Sequence, residues 1–127
     1  NTADTLTLRK LKGVGVVFSK RIVEYRKKLG GFLFIEQLKE VYGIQGETFD
    51  SFKDEIMIKD STIKKININT CTVERLKEHP YLDWNLANSV VNFRLQHGAY
   101  ISIQKIKSIH LVNDEIYRKI APYLRID

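Results

Sequence analysis

Two glycines set among cations are the residues of this sequence best placed to do chemistry. Gly13-Val14-Gly15 is flanked by Arg9, Lys10, Lys12, Lys20 and Arg21. The first glycine allows a positive φ at no steric cost. The second falls where a helix is expected to start, so the amides that follow have no side-chain acceptor. Such orphan donors, helped by the helix dipole, attract an anion and in particular a phosphate. Lys20 and Arg21 follow in the same helical stretch, off the apolar face of Phe18 and Ile22, and can reach an anion held at its start. The candidate contact set is therefore Lys12, Gly13, Val14, Gly15, Val16, Lys20 and Arg21. A second candidate, Gly43-Ile44-Gln45-Gly46, keeps the first glycine but places Gln45 at the second site, with Glu47 just behind it.

The other reactive residue types do not assemble into a site. His79, His97 and His110 match no metal-ligand spacing and are expected at helix ends or on the surface. Cys71 is the only cysteine, which excludes a disulfide within the chain and fits a reducing compartment. Trp84, with Tyr81 and Tyr100, either forms an exposed aromatic site for a protein partner or packs into a core, and core packing is the expectation. No Ser/His/Asp set, carboxylate pair or GxxxxGK[ST] loop appears. The expectation is a non-enzyme with no metal, no cofactor and no small-molecule substrate.

The elements that position the glycines emerge from an internal repeat. An offset of 68 pairs Asn1 with Asn69, Ile22 with Val90, Tyr25 with Phe93, Arg26 with Arg94, Gly30 with Gly98, Phe32 with Tyr100 and Leu38 with Ile106, without a gap. The chain thus divides into copies 1–58 and 69–127, joined by residues 59–68. Each copy reads as four short helices. In copy one, Asn1/Thr2 is expected to cap a helix over 3–12. Phe18, Ile22, Tyr25 and Leu29 line a longer helix that Gly30-Gly31 stops. Ile35, Leu38 and Val41 mark a third helix; Phe49, Phe52 and Ile56 mark a fourth. Copy two repeats this, with Asn69/Thr70 as cap and Tyr117, Ile120 and Leu124 on its last helix. The alternating stretch 63–69 is expected to be extended. Copy one has no such lead-in, which suggests that the natural protein continues upstream of Asn1.

Leu8, Leu11-Lys12-Gly13-Val14-Gly15, Phe18-Ser19, Ile22 and Tyr25-Arg26 resemble the helix-hairpin-helix motif. With Gly30-Gly31-Phe32, Leu38, Gly43-Ile44 and Phe49 the stretch is similar to the paired form of that motif in ComEA-type DNA-uptake proteins, and to their multi-repeat relatives of the Bacteroidetes lineage. The resemblance implies an all-α fold of two tandem four-helix modules, each a pair of helix-hairpin-helix motifs. It also implies a bacterial protein, cytoplasmic or on the periplasmic/envelope side, that grips the backbone of double-stranded DNA without reading sequence. Lys12 stands where the family often has Pro, and Ser19 where it prefers a small residue. Copy two has no glycine in Tyr81-Leu82-Asp83 or Leu111-Val112-Asn113. There Asp83 and Asn113 are good helix caps, so this copy is expected to be a scaffold or a protein contact.

Charge points to the first hairpin. The 127 residues carry a net charge of +6. Residues 1–30 hold eight basic residues against Asp4 and Glu24, and the remainder balances 13 basic with 13 acidic residues. No apolar run approaches the length of a membrane span. Two functions stay open: a DNA-binding module acting through the first hairpin, or a structural or protein-interaction module that keeps the fold without DNA.

Overall fold

The computed structural model describes residues 1, 3, 8, 10, 14–44, 46–56, 58 and 62–127. Among the described residues the fold is all-α apart from one short parallel ladder, and the chain divides into two compact units, Asn1–Ile63 and Lys64–Asp127.

In the first unit, helix α1 (Val16–Leu29) buries Ser19, Ile22 and Leu29 along one stripe. It ends where the glycine pair predicts. Gly30, at φ 98°, donates its N–H to the Arg26 carbonyl, and Gly31 follows at φ 129°. A 3₁₀ helix spans Ile35–Glu40, then come α2 (Glu47–Phe52) and a further 3₁₀ turn, Lys53–Glu55. The third element is 3₁₀ and not α because its apolar residues recur every three positions, the spacing that a three-residue turn eclipses. Ile22, Leu29, Phe32, Leu38, Val41, Ile44, Phe49 and Phe52 are among the buried residues. The helix expected over 3–12 lies largely outside the described residues; Leu8 within it is helical and buried.

The second unit runs β1 (Ile66–Asn67), α3 (Val73–Lys77), α4 (Trp84–His97), a 3₁₀ helix (Ile103–Ser108), α5 (Asp114–Ile120), a 3₁₀ turn (Ala121–Tyr123) and β2 (Leu124–Arg125). The strands pair in parallel, Ile66 with Leu124 and Asn67 with Arg125. Ile66 and Ile68 join Leu76, Leu86, Ala87, Val90, Ile106, Ile120 and Leu124 in one apolar cluster. Three expectations need correction here. Leu124 leaves the last helix for a strand, because Pro122 opens a 3₁₀ turn that cannot continue the α-helical ladder. The cap of α3 is Thr72, whose hydroxyl accepts from the Arg75 N–H at 3.1 Å, in place of Asn69/Thr70. His79 is buried, 2% exposed, between the rings of Tyr81 and Tyr123, and its Nδ1 accepts from the Tyr81 N–H.

The two asparagines 68 positions apart act as braces. Asn1 Nδ2 donates to the Phe32 carbonyl at 2.8 Å, and its Oδ1 accepts from the Phe32 N–H at 2.6 Å. Asn69 makes the same pair with Tyr100, at 3.0 and 2.7 Å, and donates also to the Ile126 carbonyl. Arg26 donates to the Ala3 carbonyl, and Arg94 donates to those of Cys71 and Ile68. Each unit thus ties the end of its long helix back to its own beginning. Burial lowers the pKa of Arg26 from its usual value, since the charged form loses water there.

Candidate nucleic-acid interface

The amino end of α1 has no side-chain cap. Gly15 is its N-cap at φ −98° and ψ −166°, and no side-chain cap hydrogen bond is made there. The first intrahelical bond runs from the Ser19 N–H to the Gly15 carbonyl at 2.9 Å, so the helix pattern supplies no carbonyl for the amides of Val16, Val17 and Phe18. The φ of Gly15 is one that any residue adopts, and among the described residues nothing lies within 4 Å of where a Cβ would stand. Val14 is buried beneath this end, while Val16 and Val17 are exposed. Lys20 is exposed one turn on, and Ser19, wholly buried, bonds its hydroxyl to the Val16 carbonyl at 2.9 Å. Lys12 and Gly13 lie outside the described residues.

Arg21 takes a direction of its own. Its Nη1 donates to the Tyr42 carbonyl at 3.1 Å, and its guanidinium lies 4.8 Å from the centre of the Tyr42 ring and 5.7 Å from that of Phe18. This contact brings the second candidate turn against the first turns of α1. Gly43, at φ 87°, is required there. A Cβ on it would lie 2.7 Å from Phe18 Cε1 and 2.9 Å from Arg21 Nη1. Ile44 is buried; Gly46, at φ 51°, is the N-cap of α2 and also has no side-chain cap bond. Gln45 lies outside the described residues. Tyr42 itself, 80% exposed, is a member of this face that sequence reasoning did not single out. Its only sequence signal is an aromatic residue placed directly before a turn glycine.

The corresponding ends in the second unit are closed by side chains. Asp83 Oδ1 accepts from the Leu86 N–H at 2.8 Å, and Asn113 Oδ1 from the Ile116 N–H at 2.8 Å. An anion approaching either end meets an amide already engaged, and at Asp83 a like charge. Trp84 is 56% exposed, which corrects the expectation that it packs in a core, whereas Tyr100 is buried. The Tyr100 hydroxyl donates to the Val90 carbonyl at 2.7 Å, and burial pushes its pKa up to about 12. Burial likewise raises the pKa of the Cys71 thiol. Among the described residues no helix is long and apolar enough to cross a membrane.

Comparison with known proteins identifies the repeat. A family model described as the helix-hairpin-helix motif matches residues 1–57 and again 61–125. The chain is 29% identical over 138 residues to endonuclease/exonuclease/phosphatase family domain-containing protein 1 of Danio rerio, and 28% identical over 142 residues to that of Homo sapiens. These matches cover 94% and 89% of the chain but only 25% of each relative. An uncharacterized protein of Haemophilus influenzae is 41% identical over 58 residues, 45% of this chain and 52% of that one. The names of the longer relatives overturn the expectation of a non-enzyme, because the chain corresponds to a quarter of proteins named for an endonuclease/exonuclease/phosphatase domain. Their helix-hairpin-helix part is what the chain matches, and motifs of this kind point to nucleic-acid binding. The chain belongs to the helix-hairpin-helix motif family.

Proposed function

We propose that the first unit binds double-stranded DNA through backbone phosphates, without regard to sequence, at the amino end of α1. The observation that carries this reading is Gly15, a glycine at an ordinary φ with no described residue within 4 Å of where a Cβ would stand. Its lack of a side chain leaves the α1 amides open and the approach clear for a phosphate oxygen. Val14, Gly15 and Val16 present the backbone, Lys20 supplies a mobile charge beside it, and Lys12 and Gly13 complete the hairpin in sequence. Gly43, Ile44 and Gly46, with Gln45 among them in sequence, supply the second candidate contact, and Arg21 holds the Tyr42–Gly43 end of it. The +6 net charge of residues 1–30 supplies the long-range attraction.

Two settings suit such a grip. The resemblance to ComEA-type proteins implies DNA uptake. The relatives' names favour holding DNA for an endonuclease/exonuclease/phosphatase-family domain. In both, the module contributes position and not sequence choice. The second unit, with Asp83 and Asn113 closing its helix starts and Trp84 exposed, serves as scaffold or as a contact for protein.

Binding of two duplexes of unrelated sequence, titrated between about 50 and 200 mM salt, tests this reading. Equal affinities are expected, each weak, with log K falling against log salt at a slope of about −0.9 per phosphate engaged. A large preference for one sequence, or a binding constant indifferent to salt, would overturn it.

A further inference from the structure

Tyr42 stands out on the interface because a phosphate clamp has no use for its ring. Phosphates are held by donors, and an aromatic residue left 80% exposed gains nothing from the apolar burial that usually holds such a ring. Yet Tyr42 is firmly placed. Arg21 donates to its carbonyl and lies 4.8 Å from its ring centre, with Phe18 also beside the guanidinium. Gly43 fixes the turn at φ 87°, so closely packed on Phe18 and Arg21 that a Cβ does not fit. The guanidinium occupies one side of the ring and the rest faces solvent. Arg21 and Phe18 also join this turn to the first turns of α1, the helix whose amino end carries the uncapped amides.

We propose that Tyr42 is a stacking platform for an unpaired base, which gives the first unit a preference for duplex DNA interrupted by a single-stranded gap. This rests on the phosphate-binding reading above, and names its preferred substrate class. In an intact duplex every base face is covered by its neighbours, so a fixed ring beside the backbone finds no partner. Beside a gap, the bases are free to unstack and lie on the ring while the adjoining phosphates meet the α1 amides. Base–aromatic stacking is tolerant of sequence, since every base has a π-face, which matches a module that does not read bases.

The test compares an intact random-sequence duplex with the same duplex carrying a short gap, for the whole chain and for Y42A, Y42F and G15D. The wild type is expected to bind the gapped DNA about fivefold or more tightly than the intact one. Y42A removes that ratio, and Y42F keeps it, because the ring stacks and not the hydroxyl. A wild-type ratio near one overturns the stacking role. So does a Y42F variant as impaired as Y42A, which assigns Tyr42 a hydroxyl–phosphate contact instead. In either case the phosphate clamp stands so long as G15D weakens binding to intact duplex. Undiminished binding of intact duplex by G15D overturns the clamp, and the stacking proposal with it.

Discussion

Gly15 and Gly43 are both hairpin glycines, and they do opposite work. Gly43 is a folding residue: its φ of 87° and its contacts with Phe18 and Arg21 leave no room for a side chain. Gly43→Ala is therefore expected to destabilise the first unit by about 1–3 kcal/mol, read as a lower midpoint in urea unfolding. Gly15→Ala, in open space at an ordinary φ, is expected to leave that midpoint within about 0.5 kcal/mol of wild type. Equal losses for both substitutions would refute the distinction. Lys20 belongs to the same scale. It is exposed, so Lys20→Glu leaves the fold intact but is expected to weaken DNA binding and reduce the salt slope by about 0.9 if its phosphate contact is lost. An unchanged slope would remove Lys20 from the contact set.

At the level of elements, the brace is the main structural device. Asn69 holds the backbone of Tyr100 through two hydrogen bonds and reaches the Ile126 carbonyl as well. Asn69→Ala is expected to cost about 2 kcal/mol, since it removes three bonds and strands part-buried backbone groups; a thermal midpoint equal to wild type would contradict this. Tyr100, braced in this way, also links stability to alkaline pH. Its folded pKa of about 12 lies above the ordinary phenol value of 10, so the stability it contributes is complete below pH 10 and is lost as pH rises through 12. Tyr100→Phe is expected to flatten that alkaline decline in an unfolding series between pH 9 and 12, and an undiminished decline would assign it to other groups. Much at this scale could be read from the sequence. Apolar periodicity and the Gly30-Gly31 stop located α1, and the offset of 68 paired Asn1 with Asn69 before their bonds were known. Their role was not legible, because an Asn near a helix start reads as a cap. Only the fold shows Phe32 and Tyr100 returning to meet these side chains. Leu124 was missed for a related reason, as its strand partner Ile66 is remote in sequence and local apolar spacing favours a helix.

Across the whole molecule, one fold repeated in tandem carries two different surfaces. In the first unit, basic residues crowd the segment 1–30 and the start of α1 has no side-chain cap. In the second, Asp83 and Asn113 fill the place of an anion with the protein's own oxygens. The glycine pattern made this asymmetry visible in the sequence. The place of Arg21 was not, because its partner Tyr42 lies in the neighbouring turn. The claim on which the functional reading depends is that the amides at Gly15 take a phosphate. Gly15→Asp tests it most directly, since it builds into the first unit the self-capping carboxylate that Asp83 already provides in the second. On a random-sequence duplex at about 50 mM salt, binding is expected to fall to background while the unfolding midpoint stays level or rises by a few tenths of a kcal/mol. Binding as tight as that of the wild type, from a folded Gly15→Asp protein, would contradict the clamp.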